Sequence, residues 1–126
     1  MFLAANDPPD ETHPMLDEVA TGAAYEALFE AAQANRLGGR VLRLPEDSVS
    51  RHDAEVVSIS GDRAVVRDCN VDDGLVVDAD SGEVLDDDVV TRLGTATLVR
   101  EDGRWKVART RVRQTWEGVA GCAEPQ

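Results

Sequence analysis

Aromatic residues make up only 4% of the 126 residues, so Val, Leu and Ala must fill most of any interior. The chain has two cysteines and two histidines; Cys69 and Cys122 lie far apart, and neither His13 nor His52 has metal-ligand spacing to them, which excludes a four-ligand zinc site. No apolar run approaches the roughly 18 residues needed for a transmembrane helix. Nucleophile elbow, phosphate loop and dinucleotide fingerprint are all missing, and the glycine pairs read as turn or helix closures. No cofactor is expected. Positive charge is scarce: 13 Lys and Arg face 25 Asp and Glu, and the net charge of −12 repels DNA, RNA and anionic membrane surfaces. The opening "MFLAAN" has no basic n-region and is too short for a signal-peptide core, so it reads as the last turn of a helix that begins upstream.

What is present is one helix followed by strands. Residues 6–14 hold three prolines and three acids and form a loop. From Met15, the spacing of Leu16, Val19, Ala20, Ala23, Ala27, Leu28 and Ala31 predicts an amphipathic helix over 15–37, ended by Gly38 and Gly39. Gly22 in its middle marks a weak point or a close approach. Over 40–117 the apolar period becomes two, with corners at Gly61-Asp62, Asp73-Gly74, Ser81-Gly82 and Asp102-Gly103, as in an antiparallel meander. Residues 118–126 are a tail, and the whole chain reads as one domain. Helix first and strands second imply an α+β fold, a helix packed on a strongly curved antiparallel sheet.

The last strand contains a parity conflict. Trp105 and Val107 point inward, and Arg109, Arg111 and Arg113 continue that parity. A β-bulge near Val107-Ala108 resolves it, placing Thr110, Val112, Gln114 and Trp116 on the core side and the arginines on the other face, as cross-strand partners of acidic hairpins. Without a bulge the arginines line the core side as an anion site.

Between Asp68 and Asp88 lie nine acids and no Lys or Arg. The run fails as a calcium loop, because Gly74 comes one place late for a loop starting at Asp68, and Val89 stands where one starting at Asp78 needs Glu. A solvated acidic turn is favoured over a loose cation site at Asp86, Asp87 and Asp88, so no metal site is expected. Cys69 sits among carboxylates, which disfavour a reactive thiolate. A Cys69–Cys122 disulfide is favoured over two independent thiols or a reactive cysteine, because a C-terminal strand in the sheet can return Cys122 to the strand bearing Cys69. His52 and Asp53 are adjacent in a strand, point to opposite faces and make no dyad. His13 beside Pro14 caps a helix or faces solvent. Tyr25, Phe29, Trp105 and Trp116 carry most of the aromatic surface and read as core, or as the lining of an open pocket for a small apolar ligand.

Arg67-Asp68-Cys69, the strand pair from Val99 to Val107 and the C-terminal Cys122 resemble the NTF2-like (cystatin-like cone) superfamily, and more narrowly uncharacterised actinobacterial cell-envelope and lipoprotein-type proteins. The resemblance implies a cone-shaped fold whose first helix is truncated here, leaving its pocket open. It also implies an exported, extracytoplasmic parent protein, and dimerisation through the outer sheet face is common among such proteins. Enzymes of that superfamily use a Tyr/Asp or His/Asp set inside the cone, and no such motif carries over to this chain. The expectation is therefore a non-enzymatic binding or interaction domain, disulfide-stabilised, whose ligand is an unknown protein or small molecule. The alternative is a cytoplasmic cone-fold enzyme of isomerase, cyclase or hydrolase type acting on a small apolar substrate, with Asp68, Tyr25 or His52 near the cavity.

Overall fold

In the computed structural model, residues 3–122 are described. A single 3-10 turn, Leu3–Ala5, precedes two helices, α1 (Met15–Val19) and α2 (Gly22–Leu37). Seven strands follow: β1 (Arg40–Arg43), β2 (Arg51–Ser60), β3 (Arg63–Asp72), β4 (Leu75–Asp78), β5 (Val84–Asp86), β6 (Val90–Glu101) and β7 (Arg104–Glu117).

The helix predicted over 15–37 is interrupted. Ala20 and Thr21 are extended: Ala20 forms a parallel bridge with Val107, and the Thr21 N–H donates to the Val107 carbonyl at 2.9 Å. Two residues thus leave the helix to hydrogen-bond with β7. The helix restarts at Gly22, whose φ of +55° lies in the left-handed region that a side chain disfavours. The break rotates the buried face. Past it, Ala24, Tyr25, Leu28, Phe29 and Ala32 turn inward, whereas Ala23, Ala27 and Ala31 of the expected stripe are exposed.

The expected single curved sheet, with a helix packed on it as a cone, is not the architecture. There are two antiparallel sheets, one ordered β1-β4-β5 and the other β2-β3-β6-β7. The chain crosses between them from β1 to β2, from β3 to β4 and from β5 to β6, so Asp73-Gly74 is a crossing and not a hairpin corner. Asp73 explains why two of these crossings stay together. Its carboxylate accepts Ser48 Oγ at 2.7 Å, Ser50 Oγ at 2.6 Å and the Val49 N–H at 2.6 Å, and its own N–H donates to Ser50 Oγ at 3.1 Å. The side chains that break the meander are therefore polar, and hydrophobic periodicity does not register them.

The large sheet has one straight ruler, β6. Opposite it, β7 carries two extra residues: pairing passes from Leu98↔Val107 to Thr97↔Arg109, and from Gly94↔Val112 to Leu93↔Gln114. The bulge at Ala108 puts Thr110 and Val112 on the helix-bearing face and Arg109 and Arg111 on the other. The second bulge, at Arg113, corrects the rest of the expected pattern, because Gln114 and Trp116 then share the face of Leu93 and Thr91, away from the helices. Gly94 lies at the second bulge, where a Cβ would stand 2.7 Å from the Arg111 carbonyl oxygen, so the two backbones meet only because no side chain is there.

The core is small. Ala5, Leu16, Ala20, Ala32, Val41, Ala64, Val71 and Val77 are buried, centred where the N-terminal segment and helices meet the small sheet. Glu11 is also buried, and the Arg36 guanidinium donates to its carboxylate through two bonds of 2.6 and 2.7 Å. These hydrogen bonds from Arg36 hold its pKa at about 2, against an ordinary 4.5. A carboxylate more acidic when folded than when unfolded stabilises fully above the unfolded value and loses that contribution as the pH falls through the folded one. Urea midpoints should therefore fall as pH drops from 4.5 toward about 2, and Glu11→Gln, less stable at neutral pH, should show a shallower fall over that window. Equal slopes in the two proteins would contradict this.

Candidate binding faces of the large sheet

The helix-bearing face reads row by row from the pairing register. Ile59, Ala64, Leu98 and Val107 form one row, Val56, Val66, Ala96 and Thr110 the next, then Ala54, Asp68, Gly94 and Val112. Both helices pack on β7, at one edge of the sheet. Consequently much of this apolar face is uncovered: Ile59 is 64% exposed, Val56 61% and Val112 58%. Val112, expected in the core, points to the core side but is left exposed. Where α2 meets β7 the face deepens into a groove of about 360 Å³, lined by Val19, Ala20, Ala24, Ala27, Leu28, Val107 and Thr110.

At the other end of the same face His52 and Asp68 come together. His52 stands opposite Asn70, one diagonal from Asp68, and its Nδ1 lies 2.8 Å from Asp68 Oδ2. Asp53, adjacent to His52 in sequence, turns to the other face as strand alternation requires; the partner is sixteen residues away, and the contact follows from the β2–β3 register. Asn70 Nδ2 also donates to Asp68 Oδ2, at 3.3 Å, and Asp68 Oδ1 is buried without a hydrogen-bond partner. The pair borders a hollow of about 240 Å³ that includes Arg92, Gly94 and Val112. The His52 side chain is 72% exposed, so this hollow does not exclude water from the ring.

The four aromatic candidates lie elsewhere. Tyr25 and Phe29 stack on α2 with ring centroids 6.3 Å apart, Trp105 lies under the Arg100 guanidinium at 5.4 Å, and Trp116 faces Gly121 of the tail. None lines the apolar groove, whose walls are aliphatic. His13 Nδ1 accepts the Met15 N–H at 3.1 Å, at the start of α1.

The acidic run is largely built into turns. The Asp78 carboxylate accepts the N–H groups of Ser81 and Asp80, which lower its pKa, and Asp86 accepts that of Asp88. Burial pushes the Asp72 pKa up, but the Gly74 N–H and the Arg92 guanidinium outweigh it and hold the value below the ordinary one. Asp73, joined to the serines, is likewise lowered, chiefly by Ser50. Among the described residues no cluster of three or more His, Cys, Asp or Glu is placed to hold a metal ion.

On the opposite face the tail folds back across the sheet. Thr91 Oγ1 donates to the Gly118 carbonyl at 2.7 Å, and Cys122 is disulfide-bonded to Cys69 of β3, their Cα atoms 6.3 Å apart. Gly121 fits because a Cβ there would overlap the Trp116 indole.

The fold has a solved counterpart. Over 87% of this chain and 83% of the other, it matches the crystal structure of the intermembrane space region of the chloroplast protein ARC6, with a TM-score of 0.65 and 21% identity. No family model and no curated protein matches the chain. The resemblance to NTF2-like proteins therefore rests on the short motifs quoted above. Among the described residues no helix is long and apolar enough to cross a membrane.

Proposed function

We propose that this chain is a non-catalytic interaction domain, working outside the cytoplasm, that binds an apolar segment of a partner protein on the helix-bearing face of its large sheet. The observation that carries the reading is the exposure of Val56 and Ile59 on β2 and of Val112 on β7, in three successive rows of the one apolar face whose β7 side deepens into the aliphatic groove beside α2. Apolar side chains exposed on both outer strands of one sheet face mark an interaction site more often than a free surface. The disulfide supports an oxidising compartment, where such bonds persist, and the counterpart in the chloroplast protein is an intermembrane-space region. Titration with a fluorescent apolar probe tests the surface. Ile59→Asp and Val112→Asp should each abolish most of the probe signal while leaving the thermal midpoint nearly unchanged, as exposed positions allow. Undiminished probe binding in both variants would refute the reading.

A second reading is favoured by one observation, the 2.8 Å contact of His52 with Asp68. In an isomerase, cyclase or hydrolase, Asp68 would orient the ring and His52 would move a proton. Against it stands the exposure of His52, and Tyr25 is not among the residues around that hollow. The disulfide further argues against the cytoplasmic setting of this alternative. Turnover of a small apolar substrate lost in His52→Ala would favour the enzyme.

A further inference from the structure

The face of the large sheet turned away from the helices has a different chemistry. Of the 13 basic residues, Arg36, Arg43, Arg92, Arg100 and Arg104 pair with carboxylates. Among the described residues the others form no ion pair with a carboxylate, and six of those, Arg63, Arg67, Lys106, Arg109, Arg111 and Arg113, belong to β3 and β7. The register sets them side by side. Arg63 and Lys106 flank Val99, Arg67 and Arg111 flank Thr95, and Arg109 lies opposite Thr97. Arg113 is the extra residue of the second bulge, and with Arg109, Arg111, Val65, Thr95 and Thr97 it lines a hollow of about 200 Å³. The acids Asp53 and Glu55 of this face stand on β2, with Glu55 directly opposite Arg67, and Glu101 lies opposite Arg104 at the β6–β7 corner, so the cations with no acid beside them in the register are those of mid-β7, Arg109, Arg111 and Arg113.

In a chain of net charge −12 this grouping is unusual. Like charges gathered on one face repel one another. The molecule holds 25 acids and an exposed acidic stretch at Asp86–Asp88, yet among the described residues none of them forms an ion pair with Arg109, Arg111 or Arg113 of β7, whose paired cation is Arg104, held by Glu18. We propose that this basic edge binds a short, extended acidic segment of a partner protein. Arg109 and Arg111 occupy successive same-face positions, roughly 7 Å apart along the strand, which is the repeat of carboxylates at alternate positions of an extended peptide. Guanidinium groups take carboxylates in a bidentate fork, and the hydroxyls of Thr95 and Thr97 between them can serve further oxygens. A long, uniformly charged polyanion is disfavoured, because beyond this edge it meets a predominantly acidic molecule. The site is independent of the apolar face, since the two sets of side chains project from opposite sides of the sheet.

The test uses the oxidised full chain and a fluorescein-labelled oligoglutamate peptide, followed by anisotropy at low and at physiological salt. Saturable binding is expected, weakened on the order of tenfold or more in Arg109→Glu/Arg111→Glu and weakened by salt. Arg100→Glu, a charge reversal on the helix-bearing face, should change affinity far less. Thermal midpoints verify that the variants are folded. Equal weakening by the single Arg100→Glu and the double variant would reduce the effect to net charge and overturn the proposal. So would the lack of peptide binding, or tighter binding of a single-stranded oligonucleotide, which would assign the edge to nucleic acid. Concentration-dependent self-association that the peptide does not displace, but the double variant abolishes, would assign it to a second copy of this chain.

Discussion

Replacing Cys69 and Cys122 by serine should lower the stability by about 4 kcal/mol, the chain-entropy value for a bridge closing a loop of 53 residues. The bond joins β3, in the interior of the large sheet, to a tail that has already passed β7, so its loss frees the end of an edge strand along with the tail. Two further ties survive: Thr91 Oγ1 still reaches the Gly118 carbonyl, and the Gly118 N–H still donates to the Val89 carbonyl at 2.8 Å. These hold the start of the tail but not Cys122, whose φ of +63° lies in the left-handed region and which, among the described residues, the bridge fixes to β3. The reduced protein should therefore melt well below the oxidised one, with a transition that loses the Trp116 environment early. Intact mass after alkylation in denaturant provides the matching check: two adducts only after reduction, with no dimer. Two adducts without reductant, or a double serine variant as stable as the parent, would remove the bridge from the account of this fold.

Legibility in the sequence divides along physical lines. Six of the seven strands, three of the four corners and the Ala108 bulge could be read because each leaves a local trace, in β-branched alternation, in a glycine beside an acid, or in a parity conflict; β5 lies in a stretch read as an acidic turn. The division into two sheets could not, because it depends on β1 choosing β4 as its partner, and Val41 and Val77 look the same in either arrangement. The break in the helix was equally hidden: Ala20 and Thr21 fit a helical pattern, and only the free edge of β7 makes the extended form better. Gly22 was the single signal there, and its φ is the reason for it. For the site, the basic edge was visible as three alternating arginines, but its face was not fixed until both bulges were placed. The His52–Asp68 contact is a diagonal pair and follows from register alone. What the apolar period does not report is coverage: Val112 has the correct parity for a core residue and is still exposed, because the helical segment meets β7 around Val107 and Thr110 and leaves Val112, further along the strand, uncovered.

Leu16→Ala should have the other large effect, on the order of 2–5 kcal/mol, as expected for a fully buried leucine whose cavity does not collapse. Leu16 is 1% exposed and is the largest apolar side chain so completely buried among the described residues. It belongs to α1, a helix of five residues that has no stability of its own and exists because this side chain is packed. The consequence extends to the binding face. Val19 and Ala20, one helical turn after Leu16 on the same segment, form one wall of the aliphatic groove, and the Thr21–Val107 hydrogen bond anchors that wall to β7. A cavity under α1 should therefore lower the thermal midpoint and also weaken the apolar probe at temperatures where the variant is still folded. Leu16→Met, which keeps the volume, should cost less than about 1.5 kcal/mol and leave probe binding intact. If Leu16→Ala lowered stability without affecting the probe, the groove wall would be held by β7 alone, and α1 would serve only the core that it shares with the N-terminal segment.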